Sequence, residues 1–406
     1  MGKPAEKARN FFINPDAESR AKTRFVSYYI GTYLNIISGT RDRIPNLRYR
    51  RILYLDFFCG PGKYDTGEDS VPLLVLTHAK LREKPINNIY FYFNDMNLAT
   101  ELEGNIKEKF HTDRVPNYIH ITQKDSTTIN LSSLIDKNDI VMSFVDSFSY
   151  LLCDTRTISK LIANQLSDCI FYINFQHFYR FIDAESEREK FINFFGSEDA
   201  FESARKMFHE TRNKDELASL MMQDFIRRLD TSVGQRLYYL PVFFRNSTED
   251  TAITQIIMVV SKSPKGPDAI RGSFCEFGDK DKPGSINENF YLDQGRITVY
   301  ENTSINQMSL FEHEEKMEKY AYPMSFLPDS LTSSITRSEL LSRIDQDYRR
   351  KNLYLSGYSE KYLTRMLSYL EDNQMIEVVN ADPSGRKRRI HTYPDTARIY
   401  RKKARQ

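Results

Sequence analysis

Leu53-Tyr54-Leu55-Asp56-Phe57-Phe58-Cys59-Gly60-Pro61-Gly62 decides how this chain is read: an apolar strand runs into an acid and then a glycine-rich turn. Ile52 to Leu55 has the unbroken apolar character of a central parallel strand, buried on both faces. Gly60 and Gly62 remove the side chains that would hold backbone away from a ligand. Asp56 falls at the carboxyl end of the strand, where open α/β sheets bind their ligands.

Further apolar runs follow at Ile89 to Phe93, Tyr118 to Ile121, Ile140 to Val145 and Cys169 to Ile173, after a helix around Arg24 to Ile37. Helical segments such as Leu73 to Leu81 and Thr157 to Leu166 alternate with them, which predicts a parallel, doubly wound sheet. Tyr238 to Phe244 and Ile253 to Ser261, joined by the polar stretch 245–250, read as a β-hairpin. Parallel strands finished by an antiparallel hairpin resemble the Rossmann-like class I methyltransferase sheet, so S-adenosylmethionine (SAM) is the expected cofactor. Asp56, Asp95 and Asp125 each fall at or just past a strand end. A carboxylate accepts two ribose hydroxyls, which makes Asp95 the sugar candidate. Asp125 is the candidate for the adenine amine and Asp56 for the ammonium of the methionine part. Phe58, Gly60 and Gly62 complete the expected cofactor set.

Other nucleotide motifs fail on spacing. Gly60-Pro61-Gly62-Lys63-Tyr64 lacks the earlier glycine of a P-loop and the hydroxyl residue after its lysine. It is also short of the three-glycine dinucleotide fingerprint. Beyond the fourth strand, Asp146-Ser147-Phe148-Ser149-Tyr150 sets an acid and aromatics where a substrate would face a cofactor, so Asp146, Phe148 and Tyr150 are the catalytic candidates. The alternative is a helix start capped by Asp146 or Ser147. Past the fifth strand, Asn174, His177 and Arg180 form a second polar cluster at the same edge, read as substrate-binding; a core histidine is the plainer reading of His177.

The segment Tyr54 to Leu74 resembles the three-Cys-motif partner protein (TcmP) family, which reads Asp-Gly-Phe-Ala-Gly-Pro-Gly-Arg-Tyr and then Ser-Pro-Leu. Asp56, Phe58, Gly60, Pro61, Gly62, Tyr64, Gly67, Pro72 and Leu73 match, while Phe57, Cys59, Lys63 and Val71 depart. The family's later Asp-Pro-Phe-Gly turn is similar to Asp146-Ser147-Phe148-Ser149, with its proline and glycine replaced. The resemblance implies a methyltransferase-like domain, a C-terminal winged helix and a three-cysteine companion that is radical-SAM-like. It also implies a place in a prokaryotic or phage nucleic-acid modification or defence system. A non-catalytic nucleic-acid-binding partner that keeps the fold is the other reading.

The expected organisation is a methyltransferase-like domain over 1–265, with a helical insertion or lid at 184–236, a loop-rich connector at 266–328, and a winged helix-turn-helix over 329–406. Thr336-Arg337-Ser338-Glu339 is a capping-box pattern opening one helix, and a second helix follows Ser359. Met375 to Val379 and Arg389 to Tyr393 are the expected strands of a wing. Arg386, Lys387, Arg388 and Arg389 on that wing are the expected nucleic-acid contacts, to DNA or RNA. Residues 381–406 hold nine basic side chains against two acids, a net of +7. Phosphates attract such a patch. In the connector, Gln307-Met308-Ser309-Leu310-Phe311 is similar to the peptide with which bacterial repair proteins dock on a sliding clamp.

The whole chain of 406 residues carries a formal charge of only +2, which excludes a globally basic nucleic-acid coat. Its 40 % hydrophobic content is enough for packed cores. The four cysteines lack the paired spacing of a zinc site, so no metal is expected and a reducing cytoplasm is. No segment approaches the ~20 consecutive apolar residues of a membrane helix.

Overall fold

The computed structural model describes residues 9–15, 17–81, 84–147, 152–211, 214–245, 253–263, 265–266, 269, 289–293, 296–300, 320–350, 360–380 and 387–402. The chain divides into two compact units, Met1–Ile270 with Ile297–Glu301, and Arg271–Arg296 with Asn302–Gln406.

The first unit is built on strands β1 (Ile52–Asp56), β2 (Ile89–Asn94), β3 (Ile119–Thr122), β4 (Ile140–Val145), β5 (Asp168–Ile173), β6 (Tyr238–Arg245) and β7 (Ile253–Ser261). They lie side by side in the order β3-β2-β1-β4-β5-β7-β6, and the strand Arg296–Tyr300 pairs in parallel with β6. The first five run parallel, and β7 is antiparallel to both its neighbours. This is the class I methyltransferase arrangement, with its late strand reversed and inserted between the fifth and sixth. Every residue of β1, β4 and β5 is buried, as a strand covered by helices on both faces must be. β3 closes the sheet edge and is half-exposed after Ile119.

Helix α1 (Ala17–Arg43) is longer than its sequence suggested. Phe25, Val26, Tyr29, Ile30, Tyr33, Leu34 and Ile37 recur at helical spacing and are all buried, so one stripe of α1 seals against the sheet. Helices α2 (Val71–Lys80), α3 (Ala99–Phe110) and α4 (Thr155–Leu161) follow β1, β2 and β4. Helices α5 (Phe175–Phe181), α6 (Glu185–Phe195), α7 (Glu198–Glu210) and α8 (Lys214–Val233) fill the span between β5 and β6. Phe225 of α8 sits 5.5 Å, ring to ring, from Phe171 of β5 and 5.0 Å from Phe194 of α6. These aromatics are core. The span 184–236 thus packs its aromatics on the sheet, as a side wall does.

The second unit holds α9 (Arg337–Arg350), α10 (Glu360–Asp372) and an antiparallel pair of strands, Ile376–Asn380 with Ala397–Arg401. Leu340, Ile344, Leu363, Met366, Leu367, Leu370 and Ile399 are its fully buried centre. The capping box is closed in both directions: Glu339 Oε2 accepts from Thr336 N at 2.6 Å, and Thr336 Oγ1 accepts from Glu339 N at 3.1 Å. The second strand is not Arg389 to Tyr393. That stretch is a turn, with His391 at φ 62° and Thr392 N donating to Arg389 O. Ala397 and Ile399 supply the alternating buried positions that a strand needs, and Ile399 also exchanges both backbone hydrogen bonds with Ile335.

Candidate functional site

Parallel pairing in register brings the carboxyl ends of β1, β2, β3, β4 and β5 to one edge of the sheet, so the residues just past each strand become neighbours. Asp56 ends β1 and is wholly buried. Its Oδ1 accepts from Phe58 N at 3.2 Å, and Tyr54 Oη lies 3.4 Å from its Oδ2. Burial pushes its carboxyl well above the usual range, and the charges of Asp146 and Asp95 add to that shift. Three acids therefore share one field: Asp56, Asp95 and Asp146.

Asp95 pins the glycine turn. Its Oδ2 accepts from Gly60 N at 3.1 Å, while Oδ1 accepts from Asn97 N and Leu98 N at the start of α3. Gly60 and Gly62 both take left-handed backbone, φ 64° and 80°. A Cβ on Gly62 would stand 2.6 Å from Leu102 Cδ1 of α3 and 3.2 Å from Leu73 Cγ, so a side chain there would be strained and would have to push those leucines aside. Asn94, 1 % exposed, bolts the edge together and was missed in the sequence. Its Nδ2 donates to Phe57 O and Lys124 O, and its Oδ1 accepts from Lys124 N and Thr122 Oγ1. The signal available was a polar amide ending an otherwise apolar strand, directly before Asp95.

Asp125 follows β3. It is exposed and caps a short turn, with Oδ1 accepting from Thr127 N and Thr127 Oγ1; those bonds hold its carboxyl below the ordinary range.

At the end of β4, Asp146 meets a residue that the sequence did not suggest. Lys22 of α1 donates from Nζ to Asp146 Oδ2 at 2.7 Å, and its side chain is only 7 % exposed. The same ammonium lies 4.7 Å from the centre of the Tyr172 ring and 5.6 Å from that of Phe11. Asp146 Oδ1 is buried with no hydrogen-bond partner. Ser147 is buried, while Phe148 and Tyr150 lie outside the described residues. No local pattern links Lys22 to Asp146, which are 124 residues apart.

Asn174 caps α5, accepting from His177 N at 3.1 Å. His177 turns toward α6: its Nε2 is 3.6 Å from Glu187 Oε2 and its ring is 4.7 Å from that of Phe181. Burial lowers its pKa, although Glu187 opposes that shift. Arg180 is exposed on α5.

The N-terminal segment closes over the same edge. Residues 9–13 are helical, Phe12 O accepts from Asp65 N, and Arg9 pairs with Asp65 at 2.5 Å. Phe12 lies on the glycine turn, its Cζ 2.4 Å from where a Cβ on Gly60 would be. The edge offers a cationic, hydroxyl-bearing cofactor the acids Asp95 and Asp146, and Asp146 Oδ1 has no hydrogen-bond partner among the described residues. The glycine face, however, is covered by the protein's own Phe12 ring. A ligand that approaches Gly60 has to displace it.

Cys59 is buried beside this turn and burial raises its thiol well above the usual value, which suits packing and not nucleophilic work. Among the described residues no group of histidines, cysteines or acids could hold a metal ion, and no helix is long and apolar enough to cross a membrane.

In the second unit the expected phosphate contacts separate. Arg388 is turned inward, pairing with Glu371 and donating to Thr392 O at 2.9 Å. Lys387 and Arg389 are exposed. Arg398 pairs with Glu339 at 3.2 Å. Arg386 and the segment Gln307 to Phe311 lie outside the described residues.

No protein-family profile matches the chain, and a search of curated proteins finds no match. Among solved structures, the chain is similar to a precorrin-6y C5,15-methyltransferase from Geobacter metallireducens GS-15. That likeness has 8 % identity and a TM-score of 0.27, over 53 % of this chain and 82 % of the other. An O-methyltransferase family protein from Burkholderia thailandensis aligns at 8 % identity and a TM-score of 0.25, over 56 % of each chain. The plantazolicin methyltransferase BpumL, in complex with SAH, aligns at 10 % identity and a TM-score of 0.26, over 63 % of this chain and 94 % of the other. At those scores the likeness adds nothing to what the strand order already shows.

Proposed function

We propose that the carboxyl edge of the sheet binds S-adenosylmethionine and that the protein is a methyltransferase acting on nucleic acid. The observation that carries this reading is the gathering of Asp56, Asp95 and Asp146 beside the Gly60 turn, with Asp146 Oδ1 a buried acceptor that has no donor among the described residues. A desolvated carboxylate oxygen without a partner costs about 1–3 kcal/mol or more, so a ligand N–H that reached it would be held firmly. Asp95 would hold the ribose and Asp56 the methionine end, with Gly60 and Phe58 along the backbone of the turn. When bound, the cofactor supplies an electrophilic methyl group. The chain's part is to exclude water, keep Asp146 oriented through Lys22, and align an amine with that methyl; alignment is a large share of the rate in such a transfer.

The second unit, read as a winged helix, supports a nucleic-acid partner through exposed Lys387 and Arg389. The three-Cys-motif companion and the clamp-docking segment Gln307 to Phe311 rest on sequence resemblance. So does a place in a modification or defence system.

A second reading is favoured by one observation: Phe12 covers Gly60, as it would in a protein that keeps the fold as a non-catalytic nucleic-acid-binding partner. Radiolabelled methyl transfer over DNA, RNA and the companion protein separates the two. Incorporation into any of them supports the enzyme; nucleic-acid binding with no incorporation supports the partner.

A further inference from the structure

The opposite edge of the same sheet carries a surface that none of this chemistry uses. From the last turn of α1 to the start of β1 the chain reads Arg41-Asp42-Arg43-Ile44-Pro45-Asn46-Leu47-Arg48-Tyr49-Arg50-Arg51, five arginines against one acid. Tyr49 is 86 % exposed. An aromatic ring is costly to leave in water, and here it is not left there by a loose loop. The turn is hydrogen-bonded along its length: Leu47 N donates to Ile44 O, Arg48 N to Pro45 O and Arg50 N to Leu47 O. Leu47 anchors it from below, 3 % exposed. From the side, Asn88 Nδ2 donates to both Tyr49 O and Arg50 O, at 3.1 and 3.0 Å. Asn88 itself takes left-handed backbone, φ 51°, to reach them. The ring is displayed on a built platform.

The arginines around it divide into two sets. Arg41 is buried and pairs with Asp42, and Arg51 pairs with Asp139. Asp42 and Asp139 are thereby paired, and Asp136 also acts on Arg51. Arg48 and Arg50, which flank the ring, have no ion pair among the described residues, and Arg43 bonds only the carbonyl of Gly39. Arg51 also lies over the ring of Tyr90, 5.7 Å from its centre, and Tyr90 is 39 % exposed. The patch therefore offers one open ring, a second ring beside a cation, and unneutralised guanidinium groups on both sides of the first.

We infer that this amino-edge platform binds single-stranded nucleic acid, with a base stacked on Tyr49 and the flanking phosphates held by Arg48 and Arg50. Flat rings accept any base, and guanidinium groups match phosphate oxygens; their interleaving at one-residue spacing suits a strand whose bases are unpaired. A duplex keeps its base faces inside the stack and cannot use the ring. An acidic protein could use the arginines but has no need of the exposed ring. β1 is five residues long, so the platform stands roughly 17 Å from the Asp56 edge and anchors a strand without taking part in chemistry. The inference does not depend on SAM binding at the opposite edge.

Fluorescence anisotropy of the full-length protein with labelled oligo(dT) and oligo(rU), against a duplex of the same length, tests it. Tyr49→Ala should weaken single-strand binding on the order of 5- to 100-fold and leave duplex binding unchanged. The paired change Arg48→Glu with Arg50→Glu should weaken it too and flatten its dependence on salt by roughly 1.4 in the log–log slope. Ultraviolet crosslinking to oligo(dT) should mark the peptide that contains Tyr49. All three positions are at the surface, and circular dichroism confirms that the variants fold. Single-strand binding that survives Tyr49→Ala overturns the inference. So does an equal loss of duplex binding, full displacement of the oligonucleotide by polyglutamate of matched charge, or binding that vanishes only with Lys387→Glu and Arg389→Glu.

Discussion

Replacing Lys22 with methionine isolates the interaction that ties α1 to the end of β4. In the native protein the ammonium sits 2.7 Å from Asp146 Oδ2, with side chains 7 % and 18 % exposed, so neither charge is well hydrated. Methionine keeps the length of the stem and removes the charge. Asp146 then loses its charged partner while staying scarcely hydrated, and its Oδ1 has no hydrogen-bond partner among the described residues. Breaking a buried pair from one side costs about 3–5 kcal/mol, and lost attraction to the Tyr172 ring adds roughly 0.5–2 kcal/mol. For a unit of this size each kcal/mol lowers the melting temperature by roughly 2–4 °C, so a fall on the order of 10 °C is expected. Urea melts of the wild type, Lys22→Met, Asp146→Asn and the double variant give the coupling directly. The double variant should recover most of the loss, because both charges leave together. A cost under about 1 kcal/mol for Lys22→Met, with no coupling to Asp146, would refute the reasoning and reduce the pair to a solvated contact.

Asp168, at the amino end of β5, is buried; burial raises its carboxyl to about 7, even though Tyr29 and Ser261 donate to it. Its folded state binds the proton more tightly than the unfolded chain does, so this contribution is fully present below about pH 4, is lost as pH rises to 7, and is then flat. The slope is about 1.4 kcal/mol per pH unit, about 4 kcal/mol in all. Melting temperatures from pH 5 to 8 should show Asp168→Asn gaining on the wild type as pH rises, and parallel curves would contradict this. In the second unit, Thr336→Ala opens the capping box, which is worth about 1 kcal/mol, so exchange of the first-turn amides of α9 should quicken about fivefold. Unchanged exchange would show that packing alone holds that helix end.

The sheet was legible because its strands are continuous apolar runs: Ile140–Val145 and Ile253–Ser261 were read to the residue, and the hairpin signal gave the reversed strand. Buried parallel strands leave that mark because both faces are covered. Carboxylates at strand ends were legible for the same reason, once the strands were placed. What escaped was whatever tertiary contact alone decides. Lys22 reads as one basic residue in a polar helix, and nothing near it names Asp146. Phe12 reads as an apolar residue in a short N-terminal stretch, yet it covers the turn that the glycines seemed to leave open. Asp125 looked like its counterpart Asp95, but the chain after β3 turns it to the surface. In the second unit the basic run hid a strand: Arg398 and Arg401 belong to Ala397–Arg401, whose only deeply buried positions are Ala397 and Ile399. The second strand therefore starts eight residues later than expected, and Arg388, expected to face phosphate, pairs inward with Glu371.

Calorimetric titration of the full-length protein with S-adenosylmethionine, run beside Phe12→Ala and Asp95→Ala, tests the central claim most directly. Saturable one-site binding is expected for the wild type. It should tighten when the Phe12 ring is removed from Gly60, because the ligand no longer has to displace it, and vanish without the Asp95 carboxylate. Equal affinity in the wild type and Phe12→Ala would contradict a ligand seated against Gly60. No heat from either would contradict the account.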